Sequence, residues 1–591
     1  MADLTSSREV MNNSSNIFNL WFLLYNCSMR LGKKFFRETG YFLQEIARSK
    51  IILQAILVGL ISGLLVVLFK VCINKLFALI QNYISQFDLI HKLFIFPIIT
   101  TFGGLISGIL VYKFAPETKG SGIPFVKMVM ARMGNITRVR SIVVKFIAGV
   151  AGIGTGLSLG REGPSVQLGA GAGALVGKMF KMRGTDQGKL IASGAGSAIG
   201  ATFNAPIAGT IFVLEELVNK FSASLLFPVL VATVTASSVA RHFLGNNPSF
   251  TIPYITHDLS FEGISVCIIL GIVAGFLGVA FAKVIYKNNE LFEKMDVVPN
   301  WLKPAVVGFV IGVVGIFIPY VLGSGNLSVD LLLQHKLSLS IVLLVFVVKF
   351  FITPFCFGSG AVGGIFLPML MLGSFLGYIV ASVFNMFGFQ VDVVVMSMIG
   401  MGAFLSAVAR TPITAVVMVF EMTAGYTHIL PIMLSSAIAD LIAEKLNHRP
   451  IYSTLIVNQV KSPEAKSLSA LYVKDYMKKD VVCFSPMMTI KEAQEEVKKY
   501  AYKTYPVKND RNRLLGLITK ADIEDAMFQG VDENIELNKL MNPSPITIEP
   551  NETLYIAYFR MHSNNAICLV VVDKNSKIKG IITREDINSA I

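Results

Sequence analysis

The chain has 591 residues, 53% of them hydrophobic and only 15% charged, with a mean hydropathy of +0.62. Soluble domains run nearer a quarter charged, so this composition excludes a single soluble enzyme and points to a polytopic membrane protein. Residues 461–591 hold 19 Lys/Arg and 18 Asp/Glu, which leaves 33 and 20 in residues 1–460 and puts nearly all of the net +14 with the apolar bulk. These Lys and Arg punctuate apolar runs and do not form a basic face, which fits loops obeying the positive-inside rule and speaks against a nucleic-acid partner.

Residues 1–48 read as a cytosolic interfacial segment, because basic groups surround short apolar patches such as residues 17–25 and no small-residue cleavage site follows. Charge-free stretches of spanning length come next, at residues 51–69, 93–112, 221–240, 263–282 and 304–323. Residues 350–391 carry no charge at all and are rich in Gly and Pro, which predicts broken or re-entrant helices shielded from lipid. The membrane part, expected over residues 49–455, repeats itself. Gly120-Ser121-Gly122 recurs as Gly323-Ser324-Gly325, Gly160 and Pro164 as Gly364 and Pro368, and Pro206 and Glu215 as Pro412 and Glu421, at offsets of 203, 204 and 206 residues. Two homologous halves follow, over about residues 50–245 and 260–455, and Gly/Pro-broken segments at matching places point to a transporter's midplane site.

A linker is expected over residues 456–470 and a soluble α/β module over 471–591. In that module Met477, Pro486, Thr489, Gly516, Thr519 and Asp522 reappear 64 residues later as Met541, Pro550, Thr553, Gly580, Thr583 and Asp586. Two copies of one unit, about 471–530 and 535–591, explain this. The six cysteines, Cys27, Cys72, Cys267, Cys356, Cys483 and Cys568, have neither disulfide-framework nor metal spacing and read as free buried thiols, so no metal is expected.

Gly120-Ser121-Gly122-Ile123-Pro124 sets a hydroxyl before a helix start, where free N–H groups and the positive dipole end favour an anion. An N-capping serine is the alternative. Gly160-Arg161-Glu162-Gly163-Pro164 repeats the pattern with a carboxylate, and a carboxylate within a membrane is costly enough to imply use. Ionised Glu162 can occupy the place of a free anion and leave it on protonation, whereas a salt bridge to its neighbour Arg161 is disfavoured because adjacent helical residues diverge. Gly364-Ile365-Phe366-Leu367-Pro368 offers only the backbone N–H groups of Ile365 and Phe366 and an apolar seal. Glu215 and Glu216 end an apolar helix; each singly reads as a solvated helix-end charge, while one of them buried would be a proton entry point. Tyr452 is either an interfacial tyrosine or a phenol donating to an anion.

In order and spacing, these strings resemble the CLC family of chloride channels and proton-coupled chloride transporters over roughly residues 45–455. The resemblance implies an all-α fold of two inverted halves with broken helices, assembled as a homodimer in the cell membrane with one pore per subunit. It implies a central chloride site from Ser121, Tyr452 and the amides of Ile365 and Phe366. Glu162 would be the external gating glutamate, supported by Arg161 and Gly163, and Glu216 the inner proton-transfer glutamate found in exchangers. Ser121 favours chloride over nitrate, since nitrate-preferring relatives carry proline there, and fluoride exporters lack both Ser121 and Tyr452. The tail resembles a pair of CBS domains, expected on the cytoplasmic side. There Thr519, Asp522, Thr583 and Asp586 match a motif that contacts adenine nucleotides such as ATP, although many such pairs are scaffolds without ligand.

The leading expectation is therefore a chloride/proton antiporter that needs no cofactor for transport, with chloride, protons and membrane lipid as its partners. A passive chloride channel is the runner-up. A membrane-embedded hydrolase built on Glu162 and the Glu215/Glu216 pair lacks any serine–histidine, paired-aspartate or metal-binding accompaniment. A membrane-anchored nucleotide sensor leaves the repeated broken segments unexplained.

Overall fold

The computed structural model describes residues 50–591 apart from 131–135, 137, 183, 220, 251, 253–260, 460–467, 469–470, 501, 529–530, 544, 564–565, 574 and 591. The expected N-terminal segment, Cys27 and most of the expected linker lie outside the described residues.

Among the described residues six helices are long and apolar enough to cross a membrane: Lys50–Ser85, Leu89–Phe114, Ala223–Leu244, Glu262–Lys294, Leu339–Gly358 and Phe366–Met386. Their outer faces carry Leu53, Phe94, Ile98, Phe102 and Phe227, each at least 60% exposed, a surface suited to lipid and not to water. The expected span over residues 304–323 is corrected. Its helix, Lys303–Phe317, has 15 residues and stops two before Pro319, because the residue preceding a proline is pushed out of the helical region. The charge-free run over 350–391 contains the break expected of it: one helix ends at Gly358, and Phe366–Met386 begins after a turn. The irregular backbone between those two helices, residues 359–365, is buried throughout, so other helices shield it from lipid.

Small residues set the packing. A Cβ on Gly169 would fall 2.2 Å from the Gly194 carbonyl oxygen, and one on Gly373 would fall 2.3 Å from that of Gly400. These contacts press Glu162–Met179 onto Gly184–Phe203 and Phe366–Met386 onto Val393–Ala409, the same pairing in each half. Without a hydrophobic drive between helices in lipid, such close backbone approach supplies the dispersion energy that holds them.

The halves meet on equivalent residues. Gly160 N–H donates to the Gly364 carbonyl at 2.7 Å and Gly364 N–H returns the bond to Gly160 at 2.6 Å, as a local two-fold axis requires. The Glu215 carboxylate accepts from the Ile413 and Thr414 amides, at 3.1 and 2.7 Å, and from the Thr414 hydroxyl at 2.6 Å. Its repeat partner Glu421 accepts from Ile207 and Ala208, at 3.2 and 2.7 Å. Each acid thus caps the first turn of the other half's helix, Pro412–Thr423 or Pro206–Phe212. Glu215 is a structural cap, not the solvated helix-end charge that either acid of the pair suggested by itself.

In the soluble part Thr504–Lys508 pairs antiparallel with Leu514–Thr519, and Cys568–Val572 pairs antiparallel with Ile578–Thr583 and parallel with Thr547–Ile548. The two copies are laced together. Lys478 exchanges both backbone bonds with Ile581, and 64 residues away in each copy Asn542 does so with Leu517. Cys483 and Cys568 are free thiols whose burial raises their pKa, consistent with inert fillers.

A Cβ on Gly377 would lie 1.9 Å from the Met396 carbonyl oxygen, whereas Gly188 has nothing within 4 Å. Gly377→Ala is expected to destabilise the protein by about 2–3 kcal/mol through overpacking. Gly188→Ala should be neutral or stabilising by up to ~1 kcal/mol through helix propensity. Thermal unfolding of the detergent-solubilised protein checks the contrast; equal midpoints would refute the packing argument.

Candidate ion site

Three helix starts define the site: Ile123–Met130, Glu162–Met179 and Phe366–Met386. The latter two have no side-chain cap, so their first-turn N–H groups stay available. Pro164 and Pro368 fall within the first turn, where a missing N–H costs no helical bond. Gly122 adopts φ +93°, and a Cβ there would meet Gln167 Oε1 at 2.6 Å, which explains a glycine after Ser121.

The segments converge through their glycines. A Cβ on Gly163 would lie 2.2 Å from Ser121 Oγ, and one on Gly160 would lie 2.1 Å from Glu162 Oε2 and 3.1 Å from Pro368. A Cβ on Gly364 would approach the Gly163 nitrogen to 3.0 Å, which brings the Ile365–Phe366 backbone beside the Glu162 segment. Tyr452 comes from the helix Ile451–Gln459, which packs on Ile123–Met130, and its phenol lies within electrostatic reach of both Glu162 and Glu216. The sequence-derived set Ser121, Glu162, Ile365, Phe366 and Tyr452 is therefore one cluster.

Ser121, Glu162 and Tyr452 are fully buried, and neither the Ser121 hydroxyl, the Tyr452 hydroxyl nor either Glu162 oxygen has a hydrogen-bond partner. Buried polar atoms are nearly always paired, and an orphan costs about 1–3 kcal/mol. Two hydroxyl donors with uncapped amides beside them make a donor-rich cluster in which the Glu162 carboxylate is the protein acceptor. Phe366 closes it with its ring 5.7 Å from Phe203 and 6.0 Å from Phe212, centroid to centroid.

Glu216, 2% exposed, is held apart from this cluster by a partner the sequence reading missed. Lys127 Nζ donates to Glu216 Oε1 at 2.7 Å and to Ser453 Oγ at 2.8 Å. The signal was a lysine three residues after Pro124 in an apolar helix. Arg161 donates to Asn74 Oδ1 at 3.0 Å and makes no salt bridge with Glu162, as the diverging directions of adjacent residues predict.

Two further lysines escaped notice. Lys145 donates to the Thr118 and Gly120 carbonyls, each at 2.8 Å, and Lys349 to those of Val321 and Gly323, at 2.9 and 2.8 Å. Both are fully buried, and each holds the loop that enters a Gly-Ser-Gly segment. A repeated Val-Val-Lys-Phe string, Val143 to Phe146 and Val347 to Phe350, marks them in the sequence.

In the tail, Thr519 and Thr583 do what helix caps do. The Asp522 and Asp586 amides donate to the Thr hydroxyls, at 3.0 and 3.3 Å, and the Asp carboxylates accept from the Thr amides, at 2.9 and 2.8 Å. Thr583 also lines a cavity of about 450 Å³ together with Lys478, Tyr502, Lys503 and Arg584, which Thr519 does not reach. Among the described residues no group of three or more His, Cys, Asp or Glu is arranged to hold a metal.

A family model described as voltage gated chloride channel matches residues 103–444, and the CBS domain model matches 473–529 and 536–591. The H(+)/Cl(-) exchange transporter ClcA of Vibrio cholerae serotype O1 (strain M66-2) is 33% identical over 423 residues, covering 70% of this chain and 90% of that protein. ClcA of Salmonella paratyphi B is 32% identical over 429 residues with the same coverage. Among solved structures, that of a slow cyanobacterial Cl-/H+ antiporter superposes with a TM-score of 0.66 at 29% identity, covering 70% of this chain and 98% of that one. A eukaryotic CLC transporter shares the fold over 92% of this chain and 98% of its own, with a TM-score of 0.64 at 18% identity. With its converging helix starts, its repeated halves and these matches, the chain belongs to the voltage-gated chloride channel family and carries a C-terminal pair of CBS domains.

Proposed function

We propose that this protein exchanges chloride for protons across a membrane. The observation that carries the reading is the convergence on uncapped helix starts of two buried hydroxyls without a hydrogen-bond partner, those of Ser121 and Tyr452, and of the buried Glu162 carboxylate, which faces helix-start backbone. Each helix start presents up to about half a positive charge together with directed N–H groups. Chloride accepts hydrogen bonds from all of these donors and is not bound irreversibly, because no full cation touches it. The Glu162 carboxylate competes for the same donors. Ionised, it stands in for an anion; on taking up a proton it loses that advantage and yields the place to chloride, so anion occupancy and protonation are linked. Glu216 supplies the second proton-carrying group, and Lys127 keeps its charge tolerable in a buried setting. The relatives named as H(+)/Cl(-) exchangers support this reading. A hydrolase is disfavoured by the partners of the two acids, since Glu216 faces a lysine and Glu162 faces helix-start backbone.

We assign the protein to the cell membrane with its CBS pair cytoplasmic, as a homodimer with one pore per subunit, on the family's pattern. The CBS cavity at Thr583 suits an adenine nucleotide. Lys503 and Arg584 provide positive charge for phosphates, with Asp480 and Glu585 on the same wall and Lys478 paired with Asp586, and Tyr502 offers a ring face for the base. Thr519 and Asp522 then serve as a helix cap alone.

Three outcomes follow. In reconstituted vesicles given only a chloride gradient, the wild type should move protons uphill. Glu162→Gln and Glu216→Gln should abolish proton movement while chloride flux persists; chloride flux without protons in the wild type would make it a passive channel. Lys127→Met leaves the Glu216 carboxylate unpaired in the interior and should cost about 3–5 kcal/mol, most of it recovered in the Lys127→Met/Glu216→Gln double variant. Thermal unfolding of the four proteins gives the coupling, and additive losses would contradict the ion pair's role. Finally, a fluorescent ATP analogue titrated into the full-length protein should bind, with affinity reduced about tenfold in Lys503→Glu as a phosphate contact is replaced by a like charge. Unchanged binding in that variant would remove the nucleotide from this cavity.

A further inference from the structure

The Ser121 segment has a repeat partner, Gly323-Ser324-Gly325, that the proposed transport site does not use. It enters the helix Asn326–Leu333, whose start again has no side-chain cap and whose Gly325 holds φ +94°. Lys349 holds the loop before it as Lys145 holds the loop before Ser121. Here the helix start opens into a cavity of about 320 Å³ lined among others by Asn74, Gln81, Arg161, Ser324, Gly325 and Asn326, with Ser121, Glu162 and Tyr452 absent from its walls.

Two side chains of that lining are donors without acceptors. Arg161 is 5% exposed, and while one guanidinium nitrogen donates to Asn74 its Nε has no partner. Gln81 Nε2 is likewise buried and unpartnered. A guanidinium has no acceptor capacity and keeps its charge at any ordinary pH, so an orphaned Nε–H in a cavity calls for an acceptor from outside the protein. A cation, a spare amide N–H₂, a serine beside a helix start and first-turn backbone N–H groups share one chemical preference. The Arg161 guanidinium also lies within electrostatic reach of the Glu162 carboxylate, although Glu162 does not line the cavity, so an anion held at Arg161 is coupled by charge to the acid that competes for the central place.

We propose that this cavity is a second anion subsite, taking a small monovalent anion such as a halide, and that it feeds the Glu162 position from the side where Ser324 lies. It is the two-fold counterpart of the Ser121 helix start, with Arg161 contributing the full charge that the central site lacks. A weakly hydrated monovalent anion suits it, because the donors are one charge and several dipoles with no second cation to retain a multivalent ligand. The role in transport rests on the anion-transport reading above; binding in the cavity does not.

The test is anomalous diffraction from crystals of the intact protein equilibrated with bromide. Bromide peaks are expected both at Ser121–Tyr452 and between Ser324 and Arg161. Ser324→Asp places a carboxylate where the anion would sit, at a helix start that tolerates acids, and should erase the outer peak while the Ser121 peak persists. A Ser121 peak with none in the outer cavity of the wild type would overturn the subsite and leave the transport reading intact. An outer peak that survives Ser324→Asp would overturn it as well. An outer peak without one at Ser121 would support the subsite and count against the central site.

Discussion

The pair of backbone hydrogen bonds between Gly160 and Gly364 is the point about which this membrane domain is built. Because the two residues are equivalent in the repeat, the bonds can be reciprocal only if the halves are related by a local two-fold axis there. Glycine keeps this approach close: a Cβ on Gly364 would sit 3.0 Å from the Gly163 nitrogen, and one on Gly160 would displace the end of the Glu162 side chain. The segments that follow, Glu162–Met179 and Phe366–Met386, therefore start side by side at the axis. Everything the site offers depends on those two starts being at the same depth. The exchanged caps of Glu215 and Glu421 fix the same relation at a second place, each tying one half's acid to the other half's amides. A helix start neutralised in this way is removed from the anion field, which leaves the uncapped ones to act.

An anion site within a membrane protein must attract without trapping. A full cation in direct contact would desolvate and hold chloride strongly, and dipoles with hydroxyl groups are gentler. The fold keeps its cations one step back. Lys145 and Lys349 spend their donors on the carbonyls of the loops entering the Gly-Ser-Gly segments, and Lys127 spends its own on Glu216 and Ser453. Tying down those carbonyls leaves the N–H side of each turn as the face that remains, and the ammonium groups still raise the local potential. The surplus positive charge of the apolar region thus includes these three lysines, which like Arg161 and Lys303 are buried inside the protein.

Much of this was legible in the sequence because glycine, proline and charge have few reasons to occur in apolar runs. The offsets of 203 to 206 residues announced the halves, and the strings around Ser121, Glu162 and Phe366 marked the helix starts that converge. What could not be read was partnership across long separations. Lys127 and Glu216 are 89 residues apart, and Glu215 finds its amides 198 and 199 residues away, so neither contact leaves a local pattern. The span expected at 304–323 failed for a local reason, since hydropathy registers apolar length and is blind to the constraint Pro319 puts on Ile318. The Thr-x-x-Asp strings of the tail illustrate the opposite limit. Their spacing is equally that of a reciprocal helix cap, and the caps form in both copies whether or not a ligand is bound.

Comparison of the halves also separates the acids they share from those found in one half alone. Glu215 and Glu421 are repeat partners, and both are acids because their contacts are exchanged across the axis and each half needs the same cap. At the offset of the broken segments, Glu162 corresponds to Phe366; at the offset of the caps, Glu216 corresponds to Met422. A residue needed for folding a symmetric pair has no reason to be a carboxylate in one half and apolar in the other. Backbone donors are supplied equally by the two halves, whereas the Glu162 and Glu216 carboxylates are supplied by one half alone. Placing the unmatched carboxylates in one half only, at the central cluster and beside Lys127, makes the two halves chemically unequal while the backbone stays two-fold. The asymmetry of side chains on a symmetric frame is the feature on which the proposed coupling of proton to anion rests.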